Sequence, residues 1–312
     1  MNIHFLIFEE FFYYSIERFN AYMYIQSQAV CNGTFGELIQ GVIHSKPFLV
    51  TLPIQKFSCA KYLEGTLLEN RDIYAKSYLA ADILRENIGK KGDYSLIIHS
   101  ELSRGKGLAS SSADIVATLK AILHNEKIEE DKERDLISSI CRQVEPTDGV
   151  MYPGFNAYHH HDCHLMESLG YMPFEIIGIV EDGVVDTLKF NSKNIKYSNI
   201  EVNKFEIIYQ QLKLALKIRN TEILGKCATM SAQISQNYLP KKNFTEIQEI
   251  CLENQACGVC VAHSGTAIGI ILNITDPAYN IKKSNIVNIF NRNNYSFEIY
   301  RSTYSKIMSY DV

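Results

Sequence analysis

The stretch SRGKGLASSSADIVATLKAIL, residues 103–123, is the most informative part of the sequence for predicting the fold. The segment before it, YSLIIHS at 94–100, has the apolar pattern of a largely buried strand. Behind the glycines, Ile115, Leu119 and Ile122 recur at the spacing of an apolar helix face. The sequence therefore predicts a unit of strand, glycine-rich turn and amphipathic helix.

The turn of this unit has the composition of a phosphate-binding site. Two glycines let the backbone approach a ligand closely, and the start of a helix presents unpaired N–H groups at the positive end of its dipole. Three consecutive serine hydroxyls can reach phosphate oxygens or a bound Mg2+. The candidate ATP- and phosphate-binding residues are Gly105, Lys106, Gly107, Leu108, Ala109, Ser110, Ser111 and Ser112.

A simpler interpretation explains part of the same stretch. Ser111 and Asp114 have the spacing of a helix capping box, with Asp in place of the usual Glu or Gln. A cap accounts for two residues but not for two glycines, Lys106 and a serine triplet behind a strand, so we favour phosphate binding. The common nucleotide-binding loop GxxxxGK[ST] is absent from the sequence.

Four segments, in order, resemble one family. KGLASSSAD at 106–114 is similar to the second motif of the GHMP small-molecule kinases, and more closely to the L-threonine kinases of cobalamin biosynthesis within that superfamily. GTFGELIQG at 33–41, EPTDG at 145–149 and GVCVAHSGTAIGI at 258–270 resemble further segments of the same branch. Four ordered matches are a far more specific signal than one serine-rich helix start.

The resemblance implies an α+β, two-domain GHMP kinase fold. Residues 29–170 would form the ATP-binding N-terminal domain, which is ribosomal protein S5 domain 2-like, and residues 171–312 a ferredoxin-like α+β C-terminal domain. Residues 1–28 precede the matching region as an atypical extension, rich in aromatics but interrupted by charges, so it fits neither a signal peptide nor a membrane span. Two hypotheses remain: a helix that packs on the body or on a second subunit, or translation that begins at Met23.

The resemblance also implies the activity. The chain would transfer the γ-phosphoryl group of ATP to the side-chain hydroxyl of L-threonine, giving O-phospho-L-threonine and ADP, with ATP and Mg2+ as cofactors. By their match to the family motifs, Asp148 is expected near the accepting hydroxyl, and Glu145 and Ser111 at Mg2+, so these three are the catalytic candidates. The candidate substrate-binding residues are Glu37, Gln40, His263, Ser264, Gly265 and Thr266.

The two acids can also be judged without the family. A helix rich in apolar residues precedes them and should stop at Glu145, because Pro146 disfavours helical geometry in the residue before it. Carboxylates three residues apart, such as Glu145 and Asp148, can converge on one cation or divide into a metal ligand and a base. A surface Pro-Thr-Asp-Gly turn is the alternative.

A run of histidines, HHHDCH at 159–164, suggests a metal site. Ligands of zinc must converge, whereas consecutive residues point in different directions, so a polar loop or strand edge is the favoured interpretation. A histidine could instead act as a pH-sensitive base, a role that we rank below that of Asp148.

The composition limits which classes of partner are expected. The 312 residues carry a net charge of -4, so neither nucleic acid nor a membrane is an expected partner, and the expected ligands are small molecules. Eight cysteines scattered through apolar segments favour reduced thiols in the cytoplasm, and the single CxxC at 257–260 is not expected to bind metal. A homodimer is left open.

The sequence departs from the family at three positions. Ser103 and Asn32 each replace a common Pro, and Phe35 stands where Cys is frequent. Asn32 and Phe35 are expected to border the acceptor pocket, where one changed contact can change the substrate. Alternative functions are therefore a kinase of the same fold that acts on another hydroxylated amino acid or metabolite, such as homoserine, or a non-catalytic nucleotide-binding descendant.

The remaining segments are predicted from local patterns. From Ala29 to Gly41 we expect a short strand and a glycine loop, and from 49 to 62 strands broken at Pro53. Asp182–Gly183 predicts a hairpin turn, and Asp186–Thr187 beyond it is expected, by resemblance, to approach the substrate.

Overall fold

The computed structural model describes residues 27–65, 68, 70–128, 130–181, 195–304 and 309–310. The predicted N-terminal extension, apart from its last two residues, lies outside the described residues. The Asp182–Gly183 turn and Asp186–Thr187 lie outside them as well.

One sheet holds all ten described strands together. Its order is β5-β4-β2-β1-β7-β8-β6-β9, and β3 and β10 pair with β2 and β1, respectively. In chain order the strands are β1 (Ser27–Ile43), β2 (Lys46–Glu64), β3 (Tyr94–Ser100), β4 (Phe155–His159), β5 (His164–Gly170), β6 (Glu175–Val180), β7 (Gly258–Val261), β8 (Ala267–Leu272), β9 (Phe297–Arg301) and β10 (Ser309–Tyr310).

Helices pack against this sheet, and with it they give the predicted α+β fold. The described helices are α1 (Ala75–Asn87), α2 (Ser110–Asn125), α3 (Glu130–Val144), α4 (Asn199–Lys217), α5 (Thr221–Ser235), α6 (Phe244–Glu253) and α7 (Tyr279–Arg292). The predicted stop before Pro146 is confirmed, since α3 ends at Val144. Within the described parts of the chain, no helix is both long and apolar enough to span a bilayer.

The first two strands differ from their prediction. Instead of a short strand and a loop, β1 runs unbroken for 17 residues, because irregularities in the register around Gly33 and Gly36 absorb the glycines without ending the pairing with β2. Pro53 does not break β2 either. It lies within the irregular stretch, opposite Thr34, where the regular ladder of hydrogen bonds is already interrupted.

Helix α2 is the central helix of the core. Almost every one of its residues is buried, including Ile115, Leu119 and Ile122. Helices α4 and α5 contact the other side of the β1 backbone: a Cβ at Gly41 would meet the ring of Phe205, and the Ser231 hydroxyl accepts a 2.9 Å hydrogen bond from the Gln40 N–H. The C-terminal half therefore packs directly on the first strand.

The two halves of the sheet meet at one residue of β1. Glu37 pairs with Val261 of β7, and this pairing joins the strands of the N-terminal half to those of the C-terminal half. The division of the chain at 170/171 stays a prediction. A carboxylate thus lies at the seam of the sheet, where the functional candidates converge.

Candidate active site

The glycine-rich turn has an unusual backbone conformation. Gly105, Gly107 and Ala109 have φ angles of 69°, 85° and 55°, in the left-handed region. Ala109 is the N-cap of α2 and makes no side-chain cap, so the alternative interpretation of Ser111 and Asp114 as a capping box is wrong. The Asp114 carboxylate instead accepts a 2.6 Å hydrogen bond from the Ser58 hydroxyl and pairs with Arg104 at 3.6 Å.

Backbone contacts hold this turn between β1 and the β7–β8 turn. The Lys106 carbonyl accepts hydrogen bonds from the N–H groups of Thr266 and Ala267, at 3.1 and 3.0 Å. Gly107 and Gly265 permit this approach, because a Cβ on Gly107 would lie 2.1 Å from the Ala262 Cβ. The glycine-rich turn and the β7–β8 turn, about 160 residues apart in sequence, therefore form one wall.

The two acids lie beside the serines that open α2. One oxygen of Glu145 accepts a hydrogen bond from the Ser111 hydroxyl, and the other pairs with the Lys76 ammonium of α1. The Asp148 carboxylate accepts a 3.3 Å hydrogen bond from the hydroxyl of Ser112, which also accepts the Asp148 N–H at 3.4 Å. The glycine turn and both acids thus face a common cleft.

Most of the predicted site residues line this cleft. Its lining residues are Glu37, Lys76, Gly105, Gly107, Ala109, Ser110, Ser111, Ser112, Glu145, Pro146, Asp148, His160, His263 and Ser264. Other predicted residues lie next to the cleft without lining it. The Lys106 ammonium and the Thr266 hydroxyl both donate hydrogen bonds to the Glu181 carbonyl, at 2.9 and 2.8 Å. Gln40 holds the His263 ring through a 3.0 Å contact between its amide oxygen and Nδ1.

The cleft carries more negative than positive side chains. Burial raises the pKa of Asp148 to about 6, and the nearby Glu145 carboxylate adds to this effect, whereas the Ser112 hydrogen bond opposes it. Burial also raises the pKa of Glu37 well above its usual range, and Asp148 contributes to the shift. Among the lining residues, only Lys76 is a permanent cation, and it pairs with Glu145. These side chains therefore attract positively charged groups, including a metal ion that accompanies a phosphate.

Two of the residues that line the cleft were not predicted from the sequence as members of the site. Lys76 has no motif around it, and only the packing of α1 brings its ammonium to Glu145. His160 belongs to the histidine run, but the sequence does not show which member is buried: His160 is 3% exposed, whereas His161 and His164 are exposed. Across the described residues, no group of three or more His, Cys, Asp and Glu side chains is arranged to hold a metal ion.

The expectation that Phe35 borders the acceptor pocket is wrong. Its ring is fully buried on the face of the paired strands β6 and β8, where it fills the space above Gly178 and Gly269 and contacts Tyr300 with ring centroids 4.7 Å apart. Asn32, also buried, donates to the Gly33 carbonyl and does not line the cleft. Residues two apart on a regular strand face the same side, so the register irregularity between Thr34 and Glu37 lets Phe35 point into the core while Glu37 reaches the cleft.

Comparisons with known proteins show which families this chain resembles. The GHMP kinases N terminal domain family matches residues 74–154 of the chain. An L-threonine kinase from Citrobacter freundii is 26% identical over 251 residues, covering 78% of this chain and 85% of that protein. An L-threonine kinase from Salmonella typhimurium is 26% identical over 252 residues, covering 78% of this chain and 82% of its own length.

Solved structures share the fold. A homoserine kinase from Cytophaga hutchinsonii superposes with a TM-score of 0.70 at 13% identity, covering 94% of this chain and 99% of that protein. The L. major mevalonate kinase gives a TM-score of 0.65 at 12% identity, covering 91% and 98%. From the family match, the two curated relatives and this shared fold, the chain is similar to the GHMP kinases and, among them, to the L-threonine kinases.

Proposed function

We propose that the chain transfers the γ-phosphoryl group of ATP to the side-chain hydroxyl of a free amino acid, with L-threonine as the preferred acceptor. The observation that carries the proposal is the contact of both acids with the serines that open α2, Glu145 with Ser111 and Asp148 with Ser112. A phosphate bound by the glycine turn would therefore lie beside a metal-binding carboxylate and a proton acceptor.

The residues present fit a Mg2+ ion. Mg2+ prefers oxygen ligands and is commonly held by one or two protein side chains together with phosphate and water. The Glu145 carboxylate and the Ser111 hydroxyl touch each other at the start of α2, so both can serve one ion. When bound, Mg2+ would neutralise charge on the phosphates. The Lys76 ammonium, which pairs with Glu145 in this structure, supplies a second positive charge at the same place.

Asp148 is proposed to receive the acceptor's proton. The hydroxyl oxygen of the acceptor forms a bond to the γ-phosphorus as the bond from phosphorus to the bridging oxygen of ADP breaks, and the hydroxyl proton passes to the Asp148 carboxylate. A carboxylate is a weak base toward an alcohol, so this transfer comes late, as the new P–O bond forms. Burial assists it, because the raised pKa of Asp148 makes its carboxylate a stronger base.

The identity of the acceptor rests on the relatives. Both curated relatives are L-threonine kinases, which favours L-threonine and the cobalamin branch, whereas the homoserine kinase fold keeps homoserine as the second candidate. The cytoplasm is the proposed location, since all eight cysteines lie in described residues and are free thiols. A homodimer stays a prediction.

A panel of acceptors tests the substrate. With ATP and Mg2+, we expect kcat/KM for L-threonine to exceed that for L-serine and L-homoserine by at least about 10-fold, the discrimination that one methyl or methylene group supplies. Phosphate transfer to each acceptor is measured by mass spectrometry. A higher value for L-homoserine would reassign the substrate within the family, and ADP formation no faster than without enzyme for any acceptor would contradict a kinase.

Gly107→Ala is expected to abolish tight nucleotide binding. The new Cβ would be strained at a φ of 85° and would collide with Ala262, so the glycine turn must move away from the β7–β8 turn. Gly89→Ala is the matched control, because Gly89 has a φ of 71° but nothing within 4 Å of its Cβ. The left-handed φ alone should destabilise both variants by about 1–2 kcal/mol, and Gly107→Ala should lose more stability because of its collision with Ala262.

Only the Gly107 variant should also raise the Kd for ATP, by at least about 10-fold. Calorimetric titration gives the Kd values, and thermal unfolding gives the stabilities. Wild-type ATP affinity in Gly107→Ala would show that the turn does not bind phosphate.

A further inference from the structure

Two buried polar atoms in the cleft have no hydrogen-bond partner. They are Oε2 of Glu37 and Nδ1 of His160, whose residues are 4% and 3% exposed. Buried polar atoms in folded proteins are nearly always satisfied, so atoms of this kind that line a cleft mark a place where a ligand supplies the partner. The phosphate-binding and metal-binding roles assigned above use neither atom.

The two atoms belong to different elements of the fold that line the same cleft. Glu37 lies on β1, where that strand pairs with β7. His160 follows the end of β4, and its ring lies edge-on to that of His263, with centroids 4.9 Å apart. The His263 ring is itself held by Gln40, whose Nε2 donates to the Val261 carbonyl at 3.4 Å. Both atoms therefore belong to residues that pairing or packing holds beside the cleft.

The charges around these atoms favour a cation. Glu37 and Asp148 interact electrostatically, and Asp148 also senses Glu145, so three carboxylates share the cleft. Lys76, the permanent cation among the lining residues, pairs with Glu145. A carboxylate on the ligand would be repelled at this end of the cleft, whereas a positive charge would be attracted.

Hydrogen-bond chemistry narrows the cation to an ammonium group. A primary ammonium has three N–H donors, and both a carboxylate oxygen and the ring nitrogen of a neutral histidine accept such bonds. Burial and the neighbouring histidines lower the pKa of His160 well below its usual range, so the ring is neutral and can accept. Mg2+ fits less well, because it prefers oxygen ligands over imidazole.

We propose that Glu37 and His160 together bind the primary ammonium group of the acceptor, so that the site selects amino alcohols and does not require the acceptor's carboxylate. The inference rests on the proposed function, since it places the acceptor in the cleft beside Asp148. His160 thereby becomes a residue that determines specificity, and Glu37 becomes a ligand of the ammonium group. The substrate class is then compounds with an amine next to the reacting alcohol.

Three ligands test the assignment on the unmodified protein. L-threonine carries both groups, 1-amino-2-propanol keeps the amine without the carboxylate, and 3-hydroxybutyrate keeps a carboxylate without the amine. Binding is measured by calorimetry in the presence of Mg2+ and a non-hydrolysable ATP analogue, so the result does not depend on turnover. We expect 1-amino-2-propanol to bind within about 10-fold of L-threonine, and 3-hydroxybutyrate at least about 1000-fold more weakly.

Substitutions at Glu37 and His160 test whether these residues cause the preference for ligands with an amine. Glu37→Gln and His160→Leu are each expected to raise the Kd of both amine ligands by about 10- to 100-fold, the effect of losing a hydrogen bond to a charged group, with no change for the ATP analogue. His164→Leu is the matched control, since His164 is exposed on the same hairpin. Retained binding of the ATP analogue shows that each variant is folded.

The outcomes separate this inference from the proposed function. Tight binding of 3-hydroxybutyrate, failure of 1-amino-2-propanol to bind, or unchanged amine affinity in both variants would each overturn the ammonium site, even if the enzyme phosphorylates L-threonine. Absence of phosphate transfer to any amino acid, with the predicted binding order intact, would instead reject the kinase reaction and leave the ammonium site standing.

Discussion

Asp148→Asn is expected to lower kcat by about 10²- to 10⁴-fold, the range that a positioned acid or base contributes, while leaving the Kd for ATP nearly unchanged. The amide keeps the size of the side chain and can still accept the Ser112 hydrogen bond, but it cannot receive the acceptor's proton. Steady-state kinetics with L-threonine and calorimetric titration of ATP measure the two quantities. Asp162→Asn is the control, because Asp162 pairs with Lys46 on the surface.

The pH dependence of kcat/KM is a second test of the role of Asp148. An acid with a raised pKa is protonated, and inactive as a base, below that pKa, so kcat/KM of the wild type should fall as the pH drops through about 6. Asp148→Asn should lose this dependence. A loss of ATP affinity equal to the loss of rate would instead place Asp148 in nucleotide binding.

Glu145→Gln should have the second large effect, on the metal requirement. The Glu145 side chain is 3% exposed, and its two oxygens contact Ser111 and Lys76, so the charge that it offers cannot be replaced by a neighbour. We expect the Mg2+ concentration for half-maximal rate to rise by at least about 100-fold, because loss of a supporting residue alone costs 10- to 100-fold in metal affinity.

Its control is Glu167→Gln, which removes a carboxylate that pairs with Lys213 on a half-exposed surface. Initial rates across a Mg2+ titration give the result for both variants. An unchanged Mg2+ requirement in Glu145→Gln would mean that the metal is held elsewhere, and the role proposed for Ser111 would fail with it.

Local sequence chemistry predicted the framework of the site. The strand, turn and helix around Gly105 and Gly107 follow from apolar periodicity and glycine conformation, and both are short-range properties. The end of α3 before Pro146 is also a local effect. The family and the α+β fold inferred from four ordered motifs are confirmed.

Long-range packing determined what the sequence could not predict. Pro53 and the glycines of β1 looked like strand breakers, but bulges absorbed them, because pairing on both sides holds the strands in place. Lys76 reaches Glu145 only through the packing of α1, and no local pattern encodes that contact. The histidine run showed that ring nitrogens were present, but which ring turns inward depends on the β4–β5 hairpin and on His263.

The glycine turn and the acids at 145 and 148 are proposed to hold a metal-bound triphosphate between them. A crystal structure with Mn2+ in place of Mg2+ and a non-hydrolysable ATP analogue tests this proposal directly, because Mn2+ takes similar oxygen ligands and is located by anomalous scattering. We expect one anomalous peak for Mn2+ in contact with Glu145 and Ser111, and we expect the γ-phosphate to lie between the start of α2 and Asp148. A triphosphate bound away from the 105–112 turn, or Mn2+ bound without Glu145, would contradict this proposal.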